Sequence, residues 1–486
     1  MRSLVWFRSD LRVRDNTALT RACKHATTSP DGGVVGVFVV CPEQWREHDW
    51  GDPKVDFVMR SVASLKTGLA ARNVPLKIVE VPRFADVPNA LLSLARRTGC
   101  TSLCFNTEFE LNEQSRDANV TEAFEEAGLE VDASLDKVIF EPGSVLTKTG
   151  GWYTVYSPFK KNWRAKYQDG GAPTSTGLPK KQPEINVESD EIPASVRGFQ
   201  IGARDDERGV RPDLWDAGED EARRRLKAFA ASRIGAYKDR RNLPSVNGTS
   251  TLSPYLAVGS ISPRQCVDAA LEVNDGRTDS GSSGVVGWIE ELIWREFYQH
   301  LLVAFPKLCK RKAFRPEMDS VEWNRDEAVF DRWCRGETGY PIVDAGMRQL
   351  NATGWMHNRV RMIVAMFLTK DLMIDWRWGE RYFMNRLVDG DFGANNGGWQ
   401  WSASTGTDAQ PYFRIFNPTT QGERFDKDGS YIKRFVPELA ELTGKAVHDP
   451  SGAGLFATLG YPEPIIDHKV ARDRALAAFK TAASSS

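Results

Sequence analysis

The feature that most constrains this fold is a change of pattern partway along the chain. Up to about residue 135, short β-rich runs alternate with helical stretches; from about residue 218 onward the strand signals almost vanish. The runs LVWFRS (4–9), VVGVFVV (34–40), LKIVEV (76–81) and SLCFN (102–106) are short and β-rich and are bounded by turn formers. Between them, Val58, Val62, Leu65 and Leu69 recur at helical spacing and predict a helix over 53–72 with one buried face. Strand–helix alternation predicts a parallel sheet covered on both faces, hence a Rossmann-like α/β domain over residues 1–135. No G-x-G-x-x-G follows the first strand, so a dinucleotide site of that type is not expected. Residues 168–200 are rich in Pro, Gly, Ser and charge, too polar to bury, and 136–217 reads as an interdomain linker. The stretches 220–237, 287–305, 341–354 and 358–376 read as helices, which makes 218–486 an all-α domain.

The bulk numbers exclude more than they assign. A chain of 486 residues exceeds one typical core, in agreement with two domains. Sixty-four basic against 65 acidic residues give no global pull toward nucleic acid, so any such binding needs a local basic surface. Seven Cys without a C-x-x-C argue against a disulfide framework or a zinc ribbon and fit a reducing compartment. No secretory leader and no apolar run long enough for a membrane span is read, so the expected location is cytoplasmic, around the nucleoid in a bacterium or nuclear in a eukaryote. The outlier is 15 Trp, weighted to the C-terminal half, which serve either a bulky helical core or a site for a flat ligand.

Four stretches carry chemistry. DGDFGANNGGWQW (389–401) is too polar for a core helix and too aromatic for a plain loop. It starts like an EF-hand but has Ala394 where that loop needs Gly and Gln400 where it needs Glu, and no His/Cys cluster offers another metal site. What remains is a glycine-opened polar pocket: amides to bond a ring nitrogen, carboxylates for ribose hydroxyls or arginines, bare backbone beside indoles. NGTSTLSPYLAVGSISPRQ (247–265) places Thr249, Ser250 and Ser253 before a helical pattern, which is either an ordinary cap or a phosphate cradle. In ELIWREFY (291–298), Glu291 and Arg295 share a helix face, by default as an exposed ion pair. In GWMHNRVRM (354–362), Asn358 and Arg361 fall about one turn apart, and the lone His357 reads as structural. No G-x-S-x-G elbow appears.

Together these stretches resemble the photolyase/cryptochrome family, and within it the class I cyclobutane pyrimidine dimer photolyases. The likeness runs from LVWFRSDLRVRDNTAL through TSTLSPYLAVGSISPRQC, ELIWREFYQHLL and GYPIVDAGMRQLNATGWMHNRVRM to DGDFGANNGGWQWSASTGTDAQPYFRIFNPTTQGERFD. It implies FAD in the helical domain, with Tyr237, Thr249, Ser250, Leu252 and Ser253 at the phosphates. Trp288, Glu291, Arg295, Asn358, Arg361, Asp389, Asp391 and Asn395 would surround sugar and rings, with Asn395 facing flavin N5 and Arg361 paired with Asp389. Trp399, Trp376 and Trp323 are similar to the family's electron-transfer chain, in that order toward the surface; for each Trp alone, core packing is the simpler explanation.

The resemblance also implies the reaction. Light-excited reduced FAD passes an electron to a flipped-out pyrimidine dimer, the ring opens, and the electron returns; base flipping is known for photolyases as a class. Glu291, Asn358, Met362, Trp294 and Trp401 would form the lesion site, and Arg241, Arg295, Arg359 and Arg414 would meet DNA phosphates without sequence preference. The (6-4) substrate is disfavoured because Asn358 and Met362 stand where that activity relies on histidines. His48, Asn112, Glu113, Cys309 and Lys310 match positions that bind a folate antenna, 5,10-methenyltetrahydrofolate, rather than a deazaflavin. The alternatives are a cryptochrome-type blue-light photoreceptor, which usually carries a C-terminal extension, and a dark flavoprotein. A monomer with no membrane partner is expected.

Overall fold

The structure is a computed structural model that describes residues 1–26, 32–451 and 460–484. It divides into two compact units that interleave along the chain: Met1–Arg204, Pro212–Gly235 and Ser250–Pro306 form the first, and Asp205–Arg211, Ala236–Thr249 and Lys307–Ser486 the second. This division by packing does not run along residues 135 and 218, because the helical stretch 250–306 packs within the first unit.

The first unit holds a five-stranded, wholly parallel sheet of β1 (Arg2–Phe7), β2 (Gly33–Val40), β3 (Leu76–Glu80), β4 (Ser102–Asn106) and β5 (Glu130–Ser134), in the order β3-β2-β1-β4-β5. β2 and β4 are buried along their whole length, as a sheet covered on both faces requires. The covering crossovers are α1 (Thr17–Ala26), α2 (Asp52–Ala70), α3 (Val87–Thr98) and α4 (Leu111–Glu126). β5 escapes sequence reading because EVDAS has one β-branched residue and lies half-exposed at the sheet edge.

The connector differs from its reading as unburied linker. It contains α5 (Tyr156–Lys166), and its polar part covers the other edge of the sheet. Asp190 N–H donates to Leu76 O at 2.8 Å, while Leu76 N–H donates to Ser189 Oγ at 3.0 Å and Ile78 N–H to Asp190 Oδ2 at 2.9 Å. An edge strand has unpaired N–H and C=O groups, and short polar side chains can satisfy them. The unit is completed by α6 (Glu219–Ser232), α7 (Pro263–Val273) and the 22-residue α8 (Ser283–Ala304).

The second unit is helical: α9 (Glu327–Arg335), α10 (Pro341–Thr353), α11 (Asn358–Met366), α12 (Trp376–Arg386), α13 (Phe392–Ala403), α14 (Pro418–Phe425) and α15 (His468–Ser484) are its main elements. Its core gathers Trp333, Trp376, Phe383 and Trp399 with aliphatics of α10 and α11. The stretch 358–376, predicted as one helix, is two. α11 ends in a π-turn over Phe367–Asp371, Met373 takes φ +53°, and Ile374 forms a parallel bridge with Asn324. Asp375 then caps α12 by accepting from Arg377 N–H at 3.0 Å. Among the described residues no helix is long and apolar enough to cross a membrane.

Candidate functional site

The stretch 389–401, expected as an irregular pocket, is a helix for most of its length. Asp391 is its N-cap, with Oδ1 accepting from Ala394 N–H at 2.9 Å. Each helical Gly costs about 1 kcal/mol relative to Ala, so propensity alone does not explain α13. Its buried side does. Asn396 Nδ2 donates to Glu380 Oε1 at 2.7 Å, Gln400 Nε2 to Asn396 Oδ1 at 2.9 Å, and Gln400 Oε1 accepts from Phe314 N–H at 2.9 Å. Trp399 fills the same side, buried edge-on against Phe383 with centroids 5.0 Å apart. The other side is polar and low. Ala394 and Gly398 are exposed, Asn395, Gly397 and Trp401 half-buried, and a Cβ added at Gly398 would meet nothing within 4 Å. Asn395 Nδ2 donates to Glu380 O at 2.9 Å, which leaves Oδ1 as the amide's acceptor.

The residues before α13 face α11. Arg361 donates through Nη2 to both oxygens of Asp389, at 2.8 and 3.1 Å, and through Nε to Met356 O at 2.8 Å. Asp389 has 2% of its side chain exposed and Arg361 24%, so the carboxylate is the partner that depends on the pair. His357 caps α11: its Nδ1 accepts from Arg359 N–H at 3.2 Å. Burial, with Arg361 and Arg359 adding to it, pushes its pKa down to about 4, as fits a neutral structural imidazole. Asn358 and Met362 follow one turn apart on α11, exposed and half-buried respectively.

Trp399, Trp376 and Trp323, expected as an electron-transfer chain, all lie in the second unit. Trp399 and Trp376 are buried and Trp323 is partly exposed. A Cβ built at Gly379 of α12 would sit 2.1 Å from Trp399 Cη2, so α13 delivers this indole directly against the helix that starts with Trp376. Trp323 precedes Asn324, whose bridge to Ile374 brings the two segments together two residues before Trp376. Trp323 lines an open groove of about 630 Å³ together with Trp378, Asn324 and Arg377.

In the first unit, α8 carries Trp288, Glu291, Trp294 and Arg295. Trp288 is buried against Phe229, and Trp294 stacks on Tyr156 of α5. Arg295 donates to Lys137 O at 2.7 Å and Leu256 O at 3.4 Å, bracing α8 against the 250–257 segment. That segment does not fit the helix-cap explanation. The helix it enters, Ser253–Ala257, has five residues and no side-chain cap; the capping box belongs to Ser262 and Gln265 at the start of α7. Ser250 and Leu252 instead flank Thr251 at φ +53°, an unusual conformation for a β-branched residue and one that clusters at ligand clamps. Arg225 Nη1 holds Thr251 Oγ1 at 3.2 Å. Leu252 is buried and Ser253 exposed, while Tyr237, buried, and Thr249, half-buried, belong to the second unit.

His48, Asn112 and Glu113 meet at one place. Asn112 Nδ2 lies 2.9 Å from His48 Nε2, and His48 Nδ1 lies 3.2 Å from Glu113 Oε1. Burial opposes ionisation of Glu113, but the hydrogen bond and charge of His48 and the charge of Arg116 hold its carboxyl below the usual range. Cys309, half-buried, and Lys310, exposed, lie in the second unit. Beyond the carboxyl ends of β1 and β4, where parallel α/β sheets commonly bind ligands, the chain places a buried ion network. Arg8 and Arg116 lie 4.1 and 4.7 Å from the Trp6 ring centre and pair with Asp117; Arg116 also pairs with Glu108 at 2.7 Å.

The predicted DNA-contacting arginines divide. Arg359 donates to Asn242 Oδ1 at 2.9 Å and lies over Phe425; burial, with Arg241 and Arg424 nearby, lowers its pKa. A local cluster of positive charge thus exists in the second unit despite the neutral whole. Arg414 is exposed. Sequence reading missed Arg424, Tyr156 and Glu380. Glu380 had a signal: Trp376, Gly379, Glu380 and Phe383 are a buried helical stripe with a carboxylate in it.

The comparisons with known proteins address this arrangement as a whole. Residues 3–183 match the family model described as DNA photolyase, and residues 288–481 the model described as FAD binding domain of DNA photolyase. The deoxyribodipyrimidine photo-lyase of Vibrio cholerae is 45% identical over 479 residues, covering 99% of each chain; that of Escherichia coli is 42% identical over 483 residues, covering 99% of this chain and 98% of its own. The crystal structure of a bacterial class III photolyase from Agrobacterium tumefaciens superposes with a TM-score of 0.88 at 36% identity, over 99% of this chain and 98% of that one. The parallel α/β sheet and the helical unit match relatives over their full length, and the chain is a member of the DNA photolyase family.

Proposed function

We propose that this protein is a light-dependent lyase that splits cyclobutane pyrimidine dimers in DNA, using reduced FAD. The observation that carries this reading is full-length similarity to relatives named for that activity, joined to a helix, α13, with an exposed glycine-containing side opposite a buried indole. The photoreceptor alternative has less support, since these relatives are named as lyases.

The residues fit FAD. An exposed glycine surface beside Asn395 admits a flat ring, and an amide oxygen there suits a ring that carries N–H, the state of a reduced flavin. Arg361 and Asp389 hold the first turn of α11 to the segment just before α13, while Asp391 fixes the first turn of α13. Ser250, Leu252 and Ser253, with Thr249 and Tyr237, would hold the phosphates; Trp288, Glu291, Arg295 and Asn358 complete the set. For Arg295, engagement with two carbonyls fits a brace under this site better than a contact with DNA. When bound and excited, the reduced flavin supplies the electron that opens the dimer. The chain's residues hold the lesion: Trp294 and Trp401 as walls, Met362 as floor, Glu291 and Asn358 as partners for the pyrimidine edge. No proton-transfer pair is required. Trp399, Trp376 and Trp323 would carry electrons inward to restore the reduced cofactor.

Damaged DNA is the partner, met through phosphates at Arg241, Arg359 and Arg414, without sequence preference and as a monomer. We also infer a folate antenna, 5,10-methenyltetrahydrofolate. The meeting of His48, Asn112 and Glu113 supports this antenna site. A cytoplasmic location, beside the nucleoid in a bacterium, follows from the substrate. The residue assignments are tested by combining Glu291→Ala, Trp294→Ala and Trp401→Ala: dimer reversal in light, counted per FAD-loaded molecule, should fall steeply. Unchanged reversal would refute the lesion site.

A further inference from the structure

We infer that Tyr156 is a positioning residue for lesion recognition, acting through Trp294; this rests on the reading of Trp294 as a wall of the dimer pocket. The two rings are stacked nearly parallel, with centroids 3.6 Å apart and planes 11° from each other. Tyr156 is 5% exposed, and its hydroxyl donates to Glu290 O at 2.7 Å, one turn before Trp294 on the same helix. The phenol is thus tied at its tip to the backbone of α8 and lays its face on the indole that α8 presents. Phe297 meets Trp294 edge-on at 5.7 Å, and Tyr298 lies tilted at 5.7 Å. These three contacts take one face and parts of the rim of Trp294. The indole remains half-buried, which leaves its second face as the broad apolar surface it can offer.

A wall that receives a flipped-out pyrimidine dimer has to be rigid, because a side chain that must be ordered on binding costs affinity. Trp294 has two free rotations, and the stack removes them before the lesion arrives. Tyr156 is contributed by α5, within the segment that reads in sequence as linker, and no motif marks it. Its position is fixed from below by Phe297, 5.9 Å away, and by Lys160, whose Nζ lies 5.5 Å from its ring centre while pairing with Glu290 at 2.8 Å.

The test measures dark binding of a duplex with one thymine dimer, and of the undamaged duplex, to FAD-loaded enzyme, and then repair per bound lesion in single turnover. Variants are Tyr156→Leu, which keeps bulk without a π-face, Tyr156→Phe, and Trp294→Ala, alone and combined with Tyr156→Leu. An aromatic stack of this kind corresponds to about two- to tenfold in affinity. Tyr156→Leu is expected to weaken dimer binding by that factor, with undamaged-duplex binding and repair per bound lesion unmoved. Tyr156→Phe should recover most of the loss, and Tyr156→Leu should add nothing once Trp294 is Ala. If Trp294→Ala weakens dimer binding while Tyr156→Leu does not, or if both duplexes weaken equally, the positioning role is overturned and the pocket reading stands. If Trp294→Ala leaves dimer binding unchanged, the pocket reading falls and the inference with it.

Discussion

Gly379→Ala tests the proposed electron chain without touching the lesion site. The added Cβ would lie 2.1 Å from Trp399 Cη2, 2.5 Å from Cζ3 and 2.7 Å from Leu368 Cδ2. Carbon atoms rest at about 3.5–4.0 Å, so Trp399 has to move by more than about 1 Å or α12 has to shift. Overpacking of this kind costs about 1–3 kcal/mol, and the better helix propensity of Ala offsets about 1 of it. A net loss of about 0–2 kcal/mol is small for a chain of this length, so the protein should fold and load FAD. Two readouts then separate. With oxidised flavin and an external reductant, photoreduction through Trp399 should slow, because electron transfer weakens steeply as the indole is displaced. With flavin reduced chemically beforehand, dimer repair in light should proceed at the parental rate, since repair does not use the chain. Parental photoreduction together with a lowered melting temperature would refute the reasoning: Trp399 would then be core packing alone. Loss of both readouts would mean that Gly379 supports the cofactor rather than the chain.

Three further outcomes follow from the same geometry. Asp389→Asn should release much of the FAD and cost about 3 kcal/mol in denaturant melts, the lower end for a broken buried pair, because Arg361 keeps some contact with water. For His357, the folded pKa of about 4 lies below the ordinary 6.5, so the imidazole is neutral in both states above pH 6.5 and only the unfolded chain takes up a proton below it. Stability should therefore fall between pH 6.5 and 4, by at most about 3 kcal/mol from this group; His357→Asn keeps an N-cap acceptor and should flatten that part of the thermal-melt profile. Arg359→Ala should lower the slope of log affinity against log salt by about 0.9 for damaged and undamaged duplex alike, read by titration in the dark.

How far the sequence shows this protein depends on which physical rule governs each segment. The sheet was legible because β1, β2 and β4 are short, mostly apolar runs bounded by turn formers and buried almost throughout, the pattern a doubly covered parallel strand imposes. β5 was not, since an edge strand tolerates Glu and Asp. The polar connector looks unburiable by composition, yet its Ser189 and Asp190 are suited to an exposed strand edge, a use that composition does not report. The break between α11 and α12 hides in a stretch of unbroken helical pattern because it is set by Met373 in a left-handed conformation and a bridge to distant Asn324. In the site, the Arg361–Asp389 pair agrees with expectation, and the meeting of His48 with Asn112 and Glu113 depends on folding that only long motifs foreshadow. Tyr156 and Glu380 act through neighbours rather than through a motif, and so become visible only in three dimensions.

The most direct measurement takes purified, reduced protein and an oligonucleotide with a single thymine dimer, and follows the restored ultraviolet absorbance of intact thymine, under near-ultraviolet or blue light and in darkness. The account predicts conversion of the dimer to two intact thymines in light and none in the dark. Tight retention of the dimer without any conversion under illumination would contradict it.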